Sequence, residues 1–533
     1  MFKGHLTKDR RTRWVWLRLI AMLVLPAAAP FDEGKAGSDA PPAQPNVLIL
    51  IGDDHVGGSL GIDGDPHKAT PNLDRLVEQG VRFDRAVCNS PVCTPSRQSF
   101  ITGRLPHAVG VTVLTTKLPD SAVTLGDWVS DHGYATAAVG KMHFNGPSKH
   151  GFAYRIDKPD WRKWLEDHPP EGGDQRRPWR PFRDPAAVWL NAEALNYGLP
   201  EVSMEAHFFA DHAAEFLRSR QGKNQPFALV VGFNEPHSPF VFPREWQGRF
   251  QPDAFSVPPV SDFDRRDQPL IFKDLTPAQK QGIQAAYYTS VNYLDHELGR
   301  VLDALDASGL AENTIVVYLG DHGYLLGQHG RFEKHILYEP GLRVPLIFRW
   351  PKHLPEGRRV TEQVELVDLL PTLLDLCGLP NPPNIHGQSL TPLLNGEPGA
   401  KGRDIVFSEY LENEEAMVRS DRYKLIVGTG RRARQDGYET ANPTPGPYKR
   451  LYDLQADPDE TTNLHDQPDL ASTLAKLQHA LYTRLVTTRE GRAQVPPNLS
   501  EIEAIHWCLV PRDAKHKAKP NAAKAKALNP RSE

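Results

Sequence analysis

At 533 residues the chain is long enough for a large α/β domain with a smaller companion. Hydrophobic residues make up 39% and charged residues 24%, a balance that excludes a disordered chain. The formal net charge of -4 excludes a global pull toward nucleic acid or anionic membrane, so any anion recognition is local.

The N-terminus has a basic start (Lys3, Lys8, Arg10, Arg11, Arg13), a short apolar run from Leu19 to Leu25, and small residues at Ala27, Ala28 and Ala29. This is the pattern of an export signal over 1–29, and its apolar run is too short for a stable membrane span. The mature protein is therefore expected in the periplasm, at the cell surface or secreted. After a Pro/Ala/Gly-rich linker over 30–45, NVLILI at 46–51 predicts a fully buried strand. Pro71 opens a predicted helix over 71–79. A helix over 125–131 precedes a strand at 135–139, and FALVVGF at 227–233 is a third strand. A long amphipathic helix over 277–307 leads into strands at 314–319 and 344–348, then a helix over 364–376.

Continuous apolar strands alternating with helices define an α/β domain over 46–400, a large mostly parallel sheet sandwiched by helices. From about Asp404 short alternating runs and a helix over roughly 470–485 predict a smaller C-terminal α+β subdomain over 401–490, an antiparallel sheet plus helix. The extension over 491–533 ends in a Lys/Ala-rich tail that has little to bury beyond Asp513 and is expected to be disordered. Four cysteines are too few for a disulfide scaffold, and their spacing suits neither a CxxC pair nor a zinc site.

Ligands of such sheets sit at the carboxyl ends of the strands. Four predicted strands run straight into reactive residues there: Asp53-Asp54, Lys141-Met142-His143, Asn234-Glu235-Pro236-His237 and Asp321-His322. Asp53, Asp54 and Asp321 gathered in one partly buried place would repel one another, and a hard divalent cation with oxygen ligands resolves this. A lone Asp-Asp after a strand would as readily be a turn or cap; the second strand end with Asp321-His322 favours the metal. Further along, Pro95 suits the first turn of a helix, which puts Cys93 at a helix N-terminus where the dipole and free N–H groups favour an anion.

The C-x-P-x-R pattern of Cys93-Thr94-Pro95-Ser96-Arg97 resembles the recognition motif of the formylglycine-dependent sulfatases of the alkaline phosphatase superfamily. ILIGDDH, TPNLDRLVEQGVRF, CTPSRQSFITGRLPH, GKMH, PHSP, GDHGYLLGQHG and RVPLI are similar to that family's blocks in the same order, across Asn46 to Leu394. LYDLQADPDETTNL resembles its C-terminal region. The resemblance implies an alkaline-phosphatase-like fold and a sulfuric ester hydrolase whose Cys93 is converted by a formylglycine-generating enzyme. By that resemblance the hydrated aldehyde would have two hydroxyls: one, activated by the cation, would attack sulfur in line and displace the alcohol, and the other would give up its proton and expel sulfate by collapse to the aldehyde. A plain Ser or Cys has no second hydroxyl for that escape.

The same resemblance implies that Asp53, Asp54, Asp321 and His322 are metal ligands, with position 93 as a further one; many members have Asn where this chain has His322. The ion implied is Ca²⁺, and Mg²⁺ shares its ligand types. Arg97 and Lys141 would hold the nucleophile, His143 would contact it, and His237 and Lys334 would bind sulfate and help protonate the leaving oxygen. Cys88 is expected to pack as a small hydrophobe rather than bridge to Cys93, while His329 and His335 have no assigned role.

Trp161, Trp164, Trp179, Arg176, Arg177, Arg180 and Arg183 lie between Tyr154 and Leu199, and Arg431, Arg432 and Arg434 in a later Gly-rich loop. Aromatic faces beside guanidinium groups suit a sulfated carbohydrate, although a solvated insertion has the same composition. GKMHFNGPSKHGF also resembles choline-sulfatase-type members, which leaves a small alkyl or aryl sulfate as the alternative. A phosphate or phosphonate ester hydrolase of the same superfamily is a further rival.

Overall fold

The run NVLILIG has no polar side chain after Asn46, so it can be satisfied only by strand partners on both edges and apolar cover on both faces. All seven of its residues are buried. The structure, a computed structural model, describes residues 44–173, 176, 185–431, 438–443, 445–489 and 492–513. The chain divides into two units, Met1–Pro42 and Ala43–Glu533, and every described residue belongs to the second. The expected export signal, most of the linker and the tail beyond Asp513 lie outside the described residues.

In chain order the large sheet contains β1 (Asn46–Gly52), β2 (Val81–Val87), β3 (Ala135–Gly140), β4 (Tyr154–Ile156), β5 (Phe227–Gly232), β6 (Thr314–Gly320), β7 (Arg343–Arg349) and β8 (Arg358–Glu365). Their spatial order is β4-β3-β5-β1-β6-β7-β2-β8. β3, β5, β1 and β6 are adjacent and parallel, so their carboxyl ends fall side by side. β7 runs against both its neighbours, and β2 pairs in parallel with β8. Alternate residues of β1 serve opposite faces. Leu48 and Leu50 meet Phe209, Leu294 and Leu298 of the Glu205–Arg220 and Pro277–Ala307 helices. Val47, Ile49 and Ile51 meet Phe100, Val129 and Leu373 of the Cys93–Thr102, Leu125–Asp131 and Leu369–Leu376 helices. Each such fully buried aliphatic side chain contributes about 1.5–3 kcal/mol.

A separate antiparallel sheet follows: β9 (Val406–Tyr410), β10 (Glu415–Arg419), β11 (Tyr423–Gly428) and β12 (Tyr448–Asp453), in the order β12-β11-β10-β9. Its apolar face, with Val418, Leu425 and Leu451, packs on Leu477, Leu481 and Leu485 of the Ala471–Thr487 helix. No helix among the described residues is long and apolar enough to cross a membrane.

One expectation is corrected, and further elements appear beside those expected. The helix expected from Val364 begins at Leu369, because Val364 pairs with Ala86 inside the sheet and a capping box of Glu365 and Asp368 redirects the chain. β2, β4 and β8, and the Glu205–Arg220 helix, are further elements of the large domain. The extension over 491–533 contains a helix at Glu501–Cys508, whose Ile505 and Cys508 join the small core.

Gly232 shows how tightly the central strand ends are joined. A Cβ there would lie 2.2 Å from the Lys141 carbonyl oxygen and 3.1 Å from Arg97 Nη1. Gly232→Ala is therefore expected to cost about 1–3 kcal/mol through overpacking, read from urea unfolding. Gly222→Ala, at a turn with φ +70° and nothing within 4 Å of the new Cβ, is the control for backbone strain alone and should lose less. Equal losses would contradict this packing account.

Candidate active site

β1, β3 and β6 each hand the chain straight to a charged residue, and β5 reaches its polar turn at Asn234 one residue after Phe233. Asp53 N–H donates to the Glu235 carbonyl (3.1 Å), Asp321 N–H to Gly52 (3.1 Å) and Lys141 N–H to Gly232 (2.7 Å), so the exits of β1, β6, β3 and β5 are laced together. Asp54 N–H donates to Asp321 Oδ1 (3.1 Å) with Asp54 at φ 67°, a left-handed conformation that Asp tolerates better than most residues. The Cys93–Thr102 helix starts at residue 93 after Val92, placing the cysteine at its N-terminus as expected.

The carboxylates and cations interleave. Arg97 bridges Asp321 Oδ2 (2.8 Å) and Asp53 Oδ2 (3.2 Å), Lys141 pairs with Asp53, and Lys334 pairs with Asp54 Oδ1 (2.7 Å). Cys93 Sγ lies 3.3 Å from Asp53 Oδ1, 3.1 Å from His322 Nε2 and 3.0 Å from Lys334 Nζ. All these side chains are buried or nearly so.

Burial opposes the charge on Asp53, but Lys141 and Arg97 outweigh it and hold its carboxyl well below the usual range. Asp54 goes the other way. Burial pushes it up to about 8 against the pull of Lys334, with Asp53 and Asp321 adding to the rise. Lys334 stays charged: burial disfavours its ammonium, yet Asp54 leads the groups that hold it well above its ordinary value. Burial, reinforced by Asp53, pushes the Cys93 thiol far above its ordinary value, so the unmodified side chain is a neutral thiol.

His322 Nδ1 lies 3.0 Å from the Gly323 carbonyl, which only accepts; the proton belongs there, and Nε2 turns a lone pair toward Cys93 and Asp54. Burial lowers this imidazole to about 4, keeping it neutral. His237 repeats the device, with Nδ1 2.6 Å from the Ser238 carbonyl; burial, with Lys334 and Lys141, keeps it neutral. His143 approaches Thr94 Oγ1 (3.3 Å), its charge suppressed by burial and then by Lys141.

Ligand atoms of Asp53, Cys93, Asp321 and His322 lie within 4.8 Å of one another, as do those of Asp53, Asp54, Cys93 and His237. Asp54 Oδ2 is buried without a hydrogen-bond partner. An orphaned carboxylate oxygen, a neutral imidazole with its lone pair inward and two further carboxylates fit a divalent cation. Every residue singled out from the sequence for metal or catalysis thus comes to one place.

Other expectations fare differently. Trp161 is 2% exposed and donates its N–H to the Ser203 carbonyl, so it is core and has no face open to a ligand. Arg176 lies over its ring. Arg177, Trp179, Arg180, Arg183, Arg432 and Arg434 fall outside the described residues, and Arg431 pairs with Glu414. His329 bonds Asp264 and stacks on Tyr338, a structural role. All four cysteines are free, Cys88 included. Beside Cys93 opens a cavity of about 620 Å³ lined by Lys141, His143, His237 and Lys334, and also by Leu114, Asn145, Trp189 and His335. Leu114, Asn145 and Trp189 are not singled out in the sequence and His335 is noted there without a role; Trp189 lies in the Trp-rich stretch but no spacing marks it off from its neighbours.

The fold and this cluster define an alkaline-phosphatase-like hydrolase. Residues 45–379 match the family model described as Sulfatase, and residues 327–487 match that described as N-sulphoglucosamine sulphohydrolase, C-terminal. A "Sulfatase" of Formosa agariphila is 31% identical over 458 residues, covering 79% of this chain and 83% of its own. The chain belongs to the sulfatase family, and it is a sulfuric ester hydrolase. Solved structures that share its fold at TM-score 0.68 include the following two. One is a phosphonate monoester hydrolase of Agrobacterium radiobacter, 23% identical, covering 84% of this chain and 96% of that one. The other, in complex with its substrate D-glucosamine-2-N,6-O-disulfate, is 24% identical and covers 84% and 99%.

A cation seated among these carboxylates has to expel the Asp54 proton that is held up to about pH 8. Ca²⁺ affinity, measured by titration calorimetry, is therefore expected to rise with pH by up to about tenfold per unit and to level off above Asp54's value. Asp54→Asn should weaken binding and flatten that slope; an affinity independent of pH in the parent protein would contradict the assignment.

Proposed function

We propose that this protein removes sulfate from a sulfated carbohydrate, using formylglycine made from Cys93 and a divalent cation, Ca²⁺ or Mg²⁺, held by Asp53, Asp54, Asp321 and His322. The observation that carries the proposal is the contact of Cys93 Sγ with Asp53, His322 and Lys334 at the start of a helix. A neutral buried thiol is a poor nucleophile, so a cysteine in this position makes chemical sense as the precursor of another group. When bound, the cation supplies Lewis-acid activation of the nucleophile and charge neutralisation.

The remaining roles follow from protonation. Arg97 and Lys141 neutralise Asp53 and fix its orientation, which keeps the nucleophile position from carrying excess negative charge. Lys334 holds a proton in the cavity and is the group we assign to the leaving oxygen. His237 lines the cavity beside Lys334, where we place the sulfate ester; neutral with its lone pair on Nε2, it can accept a hydrogen bond from a substrate hydroxyl there. His143 borders the nucleophile from the Thr94 side.

For the substrate, a cavity that combines the Trp189 ring with Asn145, His335 and the two cations suits a sugar ring bearing a sulfate. The disulfated glucosamine bound by a protein of the same fold supports this class. Export rests on the basic–apolar–small pattern of 1–29, and we take 46–400 as the catalytic domain and 401–490 as a C-terminal subdomain.

Mass spectrometry of the Cys93 peptide, from protein produced with a formylglycine-generating enzyme, should show a hydrazide-reactive aldehyde. Cys93→Ala should lower kcat by at least about a thousandfold. Sulfate release from sulfated oligosaccharides should exceed that from choline sulfate, with aryl phosphate as a control. Only thiol in active protein would overturn the modification, and preferred turnover of choline sulfate would overturn the carbohydrate assignment.

A further inference from the structure

The catalytic cavity takes two of its lining residues, Leu114 and Thr115, from the connection between the Pro106–Val109 and Leu125–Asp131 helices. Residues 111–118 of that connection contain no helix or strand. Among the described residues, the backbone of this loop closes on itself only through the Thr116 N–H to the Val113 carbonyl (3.2 Å). Its conformation therefore has to be fixed by groups from elsewhere.

Those groups come from distant parts of the chain. Asp513, 401 residues beyond Thr112, accepts the Thr112 N–H (2.7 Å) and the Thr116 hydroxyl (2.7 Å) on Oδ2 and the Thr112 hydroxyl on Oδ1. Thr112 is buried, so its two donors need a partner inside the protein, and a carboxylate gives the stronger, charge-assisted kind of bond. Glu412 accepts the Leu114 N–H. Asn145 Nδ2 donates to the Leu114 (2.9 Å) and Thr116 (3.0 Å) carbonyls.

Asp513 is itself held. It follows the Glu501–Cys508 helix, whose Ile505 and Cys508 are buried in the small core together with Leu509. Next to it, Arg512 lies 3.9 Å over the Trp507 ring and donates to the Trp507 carbonyl (3.3 Å). Arg492, earlier in the same extension, donates to the carbonyls of Ala108 (2.9 Å) and Val109, at the entry to the loop. One wall of the catalytic cavity is thus fastened by the C-terminal extension.

We propose that Asp513 is a positioning residue for the reaction. By holding Thr112 and Thr116 it sets Leu114 and Thr115 against the alcohol part of the ester and so governs which esters fit. This rests on the reading of the cavity as the place of a sulfated carbohydrate. The sulfate end is held by Lys334 and the groups beside Cys93, and the bonds of Asp513 go to none of them. Loosening the wall therefore weakens binding of a bulky sugar and leaves the chemistry at position 93 intact.

The test compares full-length, formylglycine-bearing parent with Asp513→Ala and with Thr116→Val, which removes one of the three bonds at similar side-chain size. Hydrogen exchange read by mass spectrometry should be faster over residues 111–118 in both variants, and more so in Asp513→Ala. For the sulfated oligosaccharide that the parent turns over best, Asp513→Ala should raise KM about tenfold with kcat within about twofold. Its kcat/KM for 4-nitrophenyl sulfate, a small ester that asks less of the wall, should stay within about twofold. A residue that only supports the fold would lower kcat/KM for both esters alike. Exchange over 111–118 equal to the parent's in Asp513→Ala, or an equal loss on both esters, would overturn the proposal. A parent that turns over no sulfated carbohydrate would overturn the carbohydrate assignment alone, and the exchange result then decides on Asp513.

Discussion

Asp53, Asp54 and Asp321 cannot share a buried pocket unless positive charge is brought to them, and the architecture around them follows from that demand. Two carboxylates about 4 Å apart repel by about 4 kcal/mol even at an effective dielectric constant of 20. Arg97, Lys141 and Lys334 answer three acids with three cations, yet Asp54 keeps one oxygen orphaned and its acidity suppressed. The protein's own cations therefore leave room for one more charge. With a divalent ion present the pocket becomes net positive, the state that attracts an anionic ester and stabilises charge developing on it.

Strand order supplies the convergence. Because β3, β5, β1 and β6 are parallel neighbours, Lys141, His237, Asp53 and Asp321 leave the sheet at one edge, and their backbones bond to one another as they leave. The Cys93–Thr102 helix then presents its first residue to that edge and sends Arg97, one turn on, back into the carboxylates. A sheet in any other order would scatter the same residues.

Much of this was legible from sequence because buried parallel strands leave continuous apolar runs, and each such run in the centre of the sheet is followed within a few residues by charged or imidazole groups. What escaped notice has a physical reason too. β2 carries Arg82, Asp84 and Arg85 among its apolar residues, and β8 mixes charges with Val360 and Val364 at the sheet edge, so neither shows a clean period. Trp189 and His335 line the cavity only because the fold brings distant segments to it. Trp161 misled for the opposite cause: an aromatic beside basic residues reads the same whether its ring faces a ligand or, as here, the core. Glu235 carries no signal in the sequence beyond its place in the Asn234–His237 turn; only its burial without partners marks it.

The most direct test of the central claim is anomalous diffraction from crystals of the protein soaked in Mn²⁺, a stand-in for Ca²⁺ or Mg²⁺. The account predicts a peak at about coordination distance, roughly 2.0–2.6 Å, from oxygens of Asp53, Asp54 and Asp321 and from His322 Nε2, next to residue 93. A map with no peak at that strand edge, in crystals that take up the ion elsewhere, would contradict it.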